Sequence, residues 1–212
     1  SGGTSGDPKG IMLSNLNFNA LALQSRLMCD SAAPGESILA ILPIFHGFGL
    51  GVCIHTTLCA GMRVVLIPSF APKDFAKLIK KHKITLVCGV PSLYEQLTKS
   101  SLGKNDLSSL KCVVSGGDFM TTELKKRVDE FLNAHGSIAE VRIGYGLTEA
   151  SAATCLTPTG NYRSGSIGIP FPDIYYKIVR IGTHDEAEYG EDGEICISGP
   201  TVMMGYLNNL SD

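Results

Sequence analysis

The chain has 212 residues, 44% apolar and 18% charged, with a formal charge of −2. That length supports one large or two small globular domains with a real core, and the lack of a Lys/Arg stripe excludes an electrostatic footprint for nucleic acid. Seven cysteines, an odd number, without any CxxC spacing predict reduced thiols, no zinc site and a cytoplasmic protein.

The first ten residues, SGGTSGDPKG, alternate Gly with small hydroxyl residues before Pro8 and Lys9. Such a loop can present backbone N–H groups and hydroxyls to phosphate oxygens while Lys9 adds positive charge; a flexible linker has the same composition. The GxxxxGK[ST] spacing of a Walker loop is absent, as is the basic-then-apolar pattern of a signal peptide. Ser14 then caps a predicted helix with Leu16, Ala20, Leu23 and Leu27 on one apolar face. From Ser37 to Met62 there is no Asp, Glu, Lys or Arg. Pro43, Gly47, Gly49 and Gly51 interrupt this run, so a buried strand, a loop and a buried helix fit it better than a membrane span. It contains LPIFHGFG (Leu42–Gly49), whose His46, beside an apolar strand, reads first as a packed, hydrogen-bonded residue.

Ile38–Phe45, Arg63–Pro68, Ile84–Val90, Lys111–Gly117 and Glu140–Tyr145 read as buried strands. Phe75, Leu78 and Ile79 mark a helix between them, with Lys80, Lys81 and Lys83 as a solvated face near its end. Ser92 and Glu95 form an S-x-x-E capping-box pattern at the start of another. Leu124, Val128, Phe131 and Leu132 give a further helix its apolar stripe. The alternation predicts an α/β fold, a mainly parallel sheet flanked by helices. Two predicted strands end in glycine turns, SGGD (Ser115–Asp118) and GYGLTE (Gly144–Glu149), where ligands of open parallel sheets collect. In the second, Gly144 and Gly146 let a nucleotide approach the backbone. Tyr145 offers a face for a base, Thr148 a hydroxyl for phosphate and Glu149 a hard oxygen for Mg²⁺; a plain strand-end turn is the alternative. The third Gly of a dinucleotide fingerprint is missing, which excludes a Rossmann site.

After Tyr162 the texture changes. Gly and Pro cluster over Gly165–Pro170, strands are expected at Tyr175–Val179 and Gly193–Ser198, and acidic His184–Asp192 reads as an exposed hairpin loop. The expected division is an α/β core over 1–162 and the beginning of a β-rich subdomain over 163–212. Cys88, Cys112 and Cys196 fall in apolar strand-like runs and are expected to behave as small hydrophobes. The abrupt ends suggest a piece of a longer protein.

SGGTSGDPKG, LPIFHGFG, SGGD, GYGLTE and GEICISGPTVMMGY (Gly193–Tyr206), in this order and spacing, resemble the adenylate-forming superfamily of acyl-CoA synthetases, firefly luciferase and peptide-synthetase adenylation domains. The resemblance covers essentially the whole chain. It implies a reaction in which a carboxylate attacks the α-phosphate of Mg·ATP, giving an acyl-adenylate and pyrophosphate, before CoA or another thiol takes the acyl group. Position by position, it implies that Thr4, Ser5, Gly6 and Lys9 handle the β- and γ-phosphates. Gly116, Gly117 and Asp118 line the adenine and acyl group, and Tyr145 lies against the adenine. Thr148 binds the α-phosphate and Glu149 the Mg²⁺. His46 stands beside the acyl pocket near the thiol's approach, with Ile44, Phe45 and Phe48 as apolar wall; Gly165 and Gly168 form another wall.

Two positions depart from the family pattern: Gly2 where Ser or Thr is frequent, and Asp118 where Ala is common. The resemblance also implies a ribose-binding Asp and a C-terminal lid domain with a catalytic Lys, both outside this chain, so that the chain alone is expected to be inactive. LPIFHGFG and GYGLTE are more similar to fatty-acyl and aryl-acid CoA ligases than to amino-acid-activating domains, which makes a fatty acid the first expectation. An amino-acid adenylation domain and a non-catalytic nucleotide-binding module are the alternatives.

Overall fold

In the computed structural model, which describes residues 9–208, the strand–helix alternation closes into one seven-stranded sheet. A short strand β1 (Ile11–Met12) and helix α1 (Asn15–Met28) lead into it. Its parallel part is β2 (Ser37–Ala40), β3 (Arg63–Leu66), β4 (Leu86–Gly89), β5 (Cys112–Ser115) and β6 (Val141–Tyr145), in spatial order β3-β2-β4-β5-β6. The antiparallel strands β7 (Cys155–Leu156) and β8 (Ile169–Pro170) extend the β6 edge. Beyond the sheet, β9 (Tyr175–Val179) and β10 (Glu194–Ser198) form an antiparallel ribbon, and β11 (Gly205–Tyr206) returns to pair with β1. All of the predicted strands form, within their expected ranges except that the first begins one residue early, at Ser37. The first stops at Ala40, before Pro43, which has no N–H to give a neighbouring strand.

The two-residue period of the strands sorts the core into two layers. Leu39, Val87, Val113 and Val141 point to one face, against Phe75, Ile79, Tyr94, Leu97, Val128 and Leu132. Ile38, Ala40, Leu86, Cys88 and Cys112 point to the other, against Cys29, Cys53 and Ala60. The second layer is built by α1 and by a wide π-type helix, Phe48–Thr56, that runs into α2 (Thr57–Cys59). The first comes from α3 (Phe75–His82), α4 (Pro91–Leu97) and α5 (Thr122–Ala134). Full burial of each large apolar side chain contributes roughly 1.5–3 kcal/mol. The charge-free stretch thus divides into strand, loop and helix as its prolines and glycines require. Among the described residues no helix is long and apolar enough to cross a membrane.

Three local expectations are corrected. Ser14 does cap α1, in a reciprocal capping box with Asn17, but the predicted apolar face is turned outward. Leu16, Leu23 and Leu27 are 67%, 63% and 71% exposed, while Asn17, Leu21, Ala22, Gln24 and Ser25 are buried. The inward face is mixed: Leu21 and Ala22 are buried beside amide groups that find partners there. Asn17 Nδ2 donates to the carbonyls of Pro200 (2.7 Å) and Val202 (2.9 Å), and Gln24 Nε2 donates to that of Pro172 (2.7 Å). Ser92 is not a cap: Pro91 occupies the first turn after Val90, and no side chain caps α4. Glu95 faces Lys99 and Arg127 instead. Cys88 and Cys112 are buried as expected, whereas Cys196 is exposed, because it lies on the two-stranded β9–β10 ribbon.

Asn17 joins the start of α1 to the loop that follows β10. Its Oδ1 also accepts from the Ser14 N–H at 2.7 Å. Asn17→Ala removes these bonds and leaves two carbonyls without their donor. It is expected to cost about 2–3 kcal/mol, measured as a lower urea midpoint at unchanged slope. Asn17→Asp, which cannot donate, should lose a similar amount; a shift below about 0.5 kcal/mol in both would refute this docking.

Candidate functional site

The loops after β2, β5 and β6 all leave from the carboxyl ends of parallel strands, where open α/β sheets form their crevice. There they bound a cavity of about 290 Å³. Its rim carries His46, Gly116, Gly117, Thr148 and Glu149, and its interior is lined by Cys29, Val52, Cys88, Val114, Leu156 and Phe171. Polar chemistry therefore gathers at the mouth and apolar surface inside. A second cavity, about 360 Å³, is lined by Asp118, Phe119, Met120, Gly165 and Ile167. Gly117, Gly144, Tyr145 and Gly146 border both cavities.

The turn after β6 is tightly determined. A Cβ on Gly146 would lie 1.5 Å from the carbonyl oxygen of Ala152. The Ala152 N–H in turn donates to Leu147 O at 3.0 Å. Ser151 and Ala152 take φ values of 58° and 99°, a left-handed path that costs about 1–3 kcal/mol per residue and tends to occur beside functional sites. Ser151 Oγ holds this path by donating to Thr201 O at 2.8 Å.

Glu149 is fixed from the far end of the chain. Its backbone carbonyl accepts from the Met203 N–H at 2.7 Å, and its Oε1 accepts from the Tyr206 hydroxyl at 3.2 Å. Lys9 Nζ lies 4.7 Å from the centroid of the same Tyr206 ring, within cation–π range. The β1–β11 pairing sets Ile11 opposite Tyr206, and the Leu207 N–H donates to Gly10 O at 2.7 Å. The last sequence motif thereby joins the end of the first to the acidic residue of the fourth.

His46 is exposed on its loop, with Nδ1 accepting from the Phe48 N–H at 3.1 Å. In the neutral ring that bond assigns the proton to Nε2, leaving it as a donor. Among the described residues no group of three or more His, Cys, Asp or Glu is gathered that could hold a metal, so a cation at Glu149 would need further oxygens from a bound ligand.

Of the residues singled out in the sequence, His46, Gly116, Gly117, Gly144, Tyr145, Gly146, Thr148 and Glu149 all line the first cavity. Asp118 and Gly165 line the second. The Asp118 Oδ1 accepts from the Phe119 N–H at 2.7 Å. Thr4, Ser5 and Gly6 lie outside the described residues. Three residues lie elsewhere than expected, the first being Ile44, which is exposed and borders neither cavity. Phe45 is 92% exposed and borders neither cavity: the His46 N–H donates to Pro43 O in a turn that carries Phe45 outward, and Phe48 supplies the wall. Gly168 also borders neither cavity. A Cβ there would lie 2.2 Å from the Leu156 carbonyl carbon, so its work is the close approach of β8 to β7. Sequence reasoning missed Tyr206, which stood in a quoted motif read only as strand and turn. It also missed Ser25 and Cys29, which reach the cavity from the inward face of α1.

A family profile described as AMP-binding enzyme matches residues 1–207. A probable 4-coumarate–CoA ligase of Dictyostelium discoideum is 37% identical over 211 residues, which is 99% of this chain and 38% of that protein. A long-chain-fatty-acid–CoA ligase structure from Archaeoglobus fulgidus superposes with a TM-score of 0.87 at 29% identity, covering 97% of this chain and 42% of that one. The o-succinylbenzoate coenzyme A synthetase of Bacillus subtilis, solved in complex with ATP and magnesium ion, gives a TM-score of 0.82 at 28% identity over 98% of this chain and 42% of its own. The chain thus spans under two-fifths of the curated relative's length.

The contact at Gly146 is with backbone, so no rotamer change relieves it. Gly146→Ala is expected to cost about 3 kcal/mol or more, measured by chemical denaturation. A variant as stable as the parent would refute the close approach.

Proposed function

The chain belongs to the AMP-binding enzyme family, and from that premise we propose that it forms the nucleotide- and acyl-binding part of an ATP-dependent acid–CoA ligase. In this reading the enzyme activates an apolar carboxylic acid, a fatty acid first, as its acyl-adenylate and transfers the acyl group to CoA. The observation that carries the proposal is the pair of cavities divided by Gly117 and Gly144–Gly146. A nucleotide base beside Tyr145 and Asp118 and an acyl group in the apolar cavity would then meet at Thr148.

The chemistry asked of the chain is positioning and charge stabilisation. One carboxylate oxygen of the acid attacks the α-phosphorus, the bond to the β-phosphate breaks, and pyrophosphate leaves. The thiol sulfur then attacks the acyl carbon and AMP leaves. Thr148 donates to the α-phosphate and Lys9, with Thr4, Ser5 and Gly6, attends the outer phosphates. A single carboxylate, with no cage of further ligands among the described residues, suits Mg²⁺, which takes its other oxygens from phosphate and water. When bound, that ion neutralises phosphate charge; Glu149, steadied by Tyr206, is the side chain that would hold it. His46 stands at the rim, on the approach of acid and thiol.

Among the described residues Glu149 is the sole acidic one lining the apolar cavity, and Asp118 borders the other one. That distribution favours an acid without an amino group over an amino acid. A second reading, an aryl acid carrying a hydrogen-bonding group, is favoured by Ser25, whose buried Oγ borders the apolar cavity with no partner. Free cysteines throughout support a cytoplasmic setting.

In a full-length parent, Glu149→Gln should lower acid-dependent ATP–pyrophosphate exchange by roughly 10²-fold or more, the scale of losing one electrostatic stabiliser; near wild-type exchange would remove Glu149 from the metal role. The same assay across fatty, aryl and amino acids tests the substrate class. Apolar acids should support exchange in the parent and not in these 212 residues alone, which span 38% of the length of the 4-coumarate–CoA ligase relative. Preference for amino acids, or equal rates from the two proteins, would overturn the corresponding part of the proposal.

A further inference from the structure

Two buried cysteines meet where α1 ends against the sheet. Cys29 closes α1, and Cys112 is the first residue of β5. Their sulfurs are 3.3 Å apart, and both are free thiols. A disulfide needs about 2.05 Å between sulfurs, so a closure of roughly 1 Å separates this pair from a bond. Neither residue is walled off. Cys29 lines the apolar cavity, and both cysteines line a third cavity of about 350 Å³ on the opposite side.

We propose that Cys29 and Cys112 form a peroxide-sensitive dithiol, with Cys29 as the attacking sulfur and Cys112 as the resolving one. Cys29 borders both cavities and Cys112 only the third, so Cys29 is the sulfur open to a small oxidant from two sides. The adjacent Cys112 thiol, with which Cys29 is in hydrogen-bond contact, and the Arg142 guanidinium hold Cys29 down to about 7 against the effect of burial. The Cys29 contact and burial both push Cys112 upward. Asp30, Lys111, Glu140 and Arg142 are the charged groups around the third cavity, and Cys53 and Cys88 lie in the same core layer. Arg142 is anchored by donating from Nε to Thr157 O and from Nη2 to Met28 O, each at 2.7 Å.

The chemistry balances with hydrogen peroxide as the oxidant. Cys29 thiolate attacks one peroxide oxygen, an S–O bond forms, the O–O bond breaks, and the departing hydroxide is protonated to water. Cys112 sulfur then attacks the sulfur of the Cys29 sulfenic acid, the S–S bond forms, and the second oxygen leaves as water with the Cys112 proton. Two thiols are oxidised by two electrons and one peroxide is reduced to two waters.

The test is peptide mapping of the native chain after brief exposure to a few equivalents of hydrogen peroxide and alkylation of the remaining thiols. A Cys29–Cys112 cross-link, about 2 Da lighter than the dithiol and reversed by dithiothreitol, is expected. Its rate should rise from pH 6 to pH 8 as the thiolate fraction grows. Cys112→Ser should instead leave a sulfenic acid on Cys29 that dimedone traps. Cys59, exposed and 3.5 Å from His55 Nε2, is the competing nucleophile, so the mapping is repeated with Cys59→Ser and Cys196→Ser combined. Survival of the cross-link there supports the proposal. Oxidation confined to Cys59 and Cys196 in the native chain, or Cys29 joined to another cysteine, overturns it. Neither result depends on the acid that the apolar cavity accepts.

Discussion

The path of the backbone immediately after β6 governs most of what surrounds it. Gly146 runs so close to the Ala152 carbonyl that nothing larger than hydrogen fits between them, and Ser151 and Ala152 take left-handed conformations to complete the turn. That reversal ends the parallel part of the sheet and returns β7 antiparallel to β6. It also leaves Thr148 and Glu149 projecting at the carboxyl edge of the strands. A conformation this unfavourable persists only where its surroundings over-determine it. Here they do so through Thr201, which accepts from Ser151, and Met203, which donates to Glu149. The loop beyond β10 is thus part of the site's foundation.

The same loop, together with the segment between β8 and β9, explains why α1 turns its amide side chains inward. Helix amphipathicity assumes that the inward surface meets apolar side chains, but Asn17 and Gln24 meet backbone carbonyls of Pro200, Val202 and Pro172. Irregular segments carry carbonyls without regular partners, and those carbonyls must be satisfied when buried. Long side-chain amides reach them from a helix; leucines cannot.

Legibility in the sequence followed the range of the interactions. The strands were readable because a buried parallel strand is a short β-branched run whatever its neighbours are. The strand-end motifs GYGLTE and SGGD were readable because the strand's direction alone fixes where its loop emerges, and they do meet in the structure. Orientation relative to distant partners was not readable. Leu23 and Leu27 look like core residues until the Asn17 and Gln24 acceptors are known. Phe45 looks like pocket wall until the turn at Pro43 sends it outward. Tyr206 has no local signature at all, since its hydroxyl contact with Glu149 exists only after β11 pairs with β1.

The residues shared by the two cavities are Gly117, Gly144, Tyr145 and Gly146, chiefly glycine. Apart from Tyr145, this shared wall has no side chain that could be exchanged to reshape one side alone. A substitution that narrows one chamber intrudes on its neighbour or, at Gly146, on the fold itself. Variation in what the apolar chamber holds is therefore channelled to the remote surfaces supplied by α1 and the π-type helix, at positions such as Ser25, Cys29 and Val52. Those positions lie away from the shared partition, so the apolar chamber can diverge among descendants of one ancestor while its neighbour stays the same.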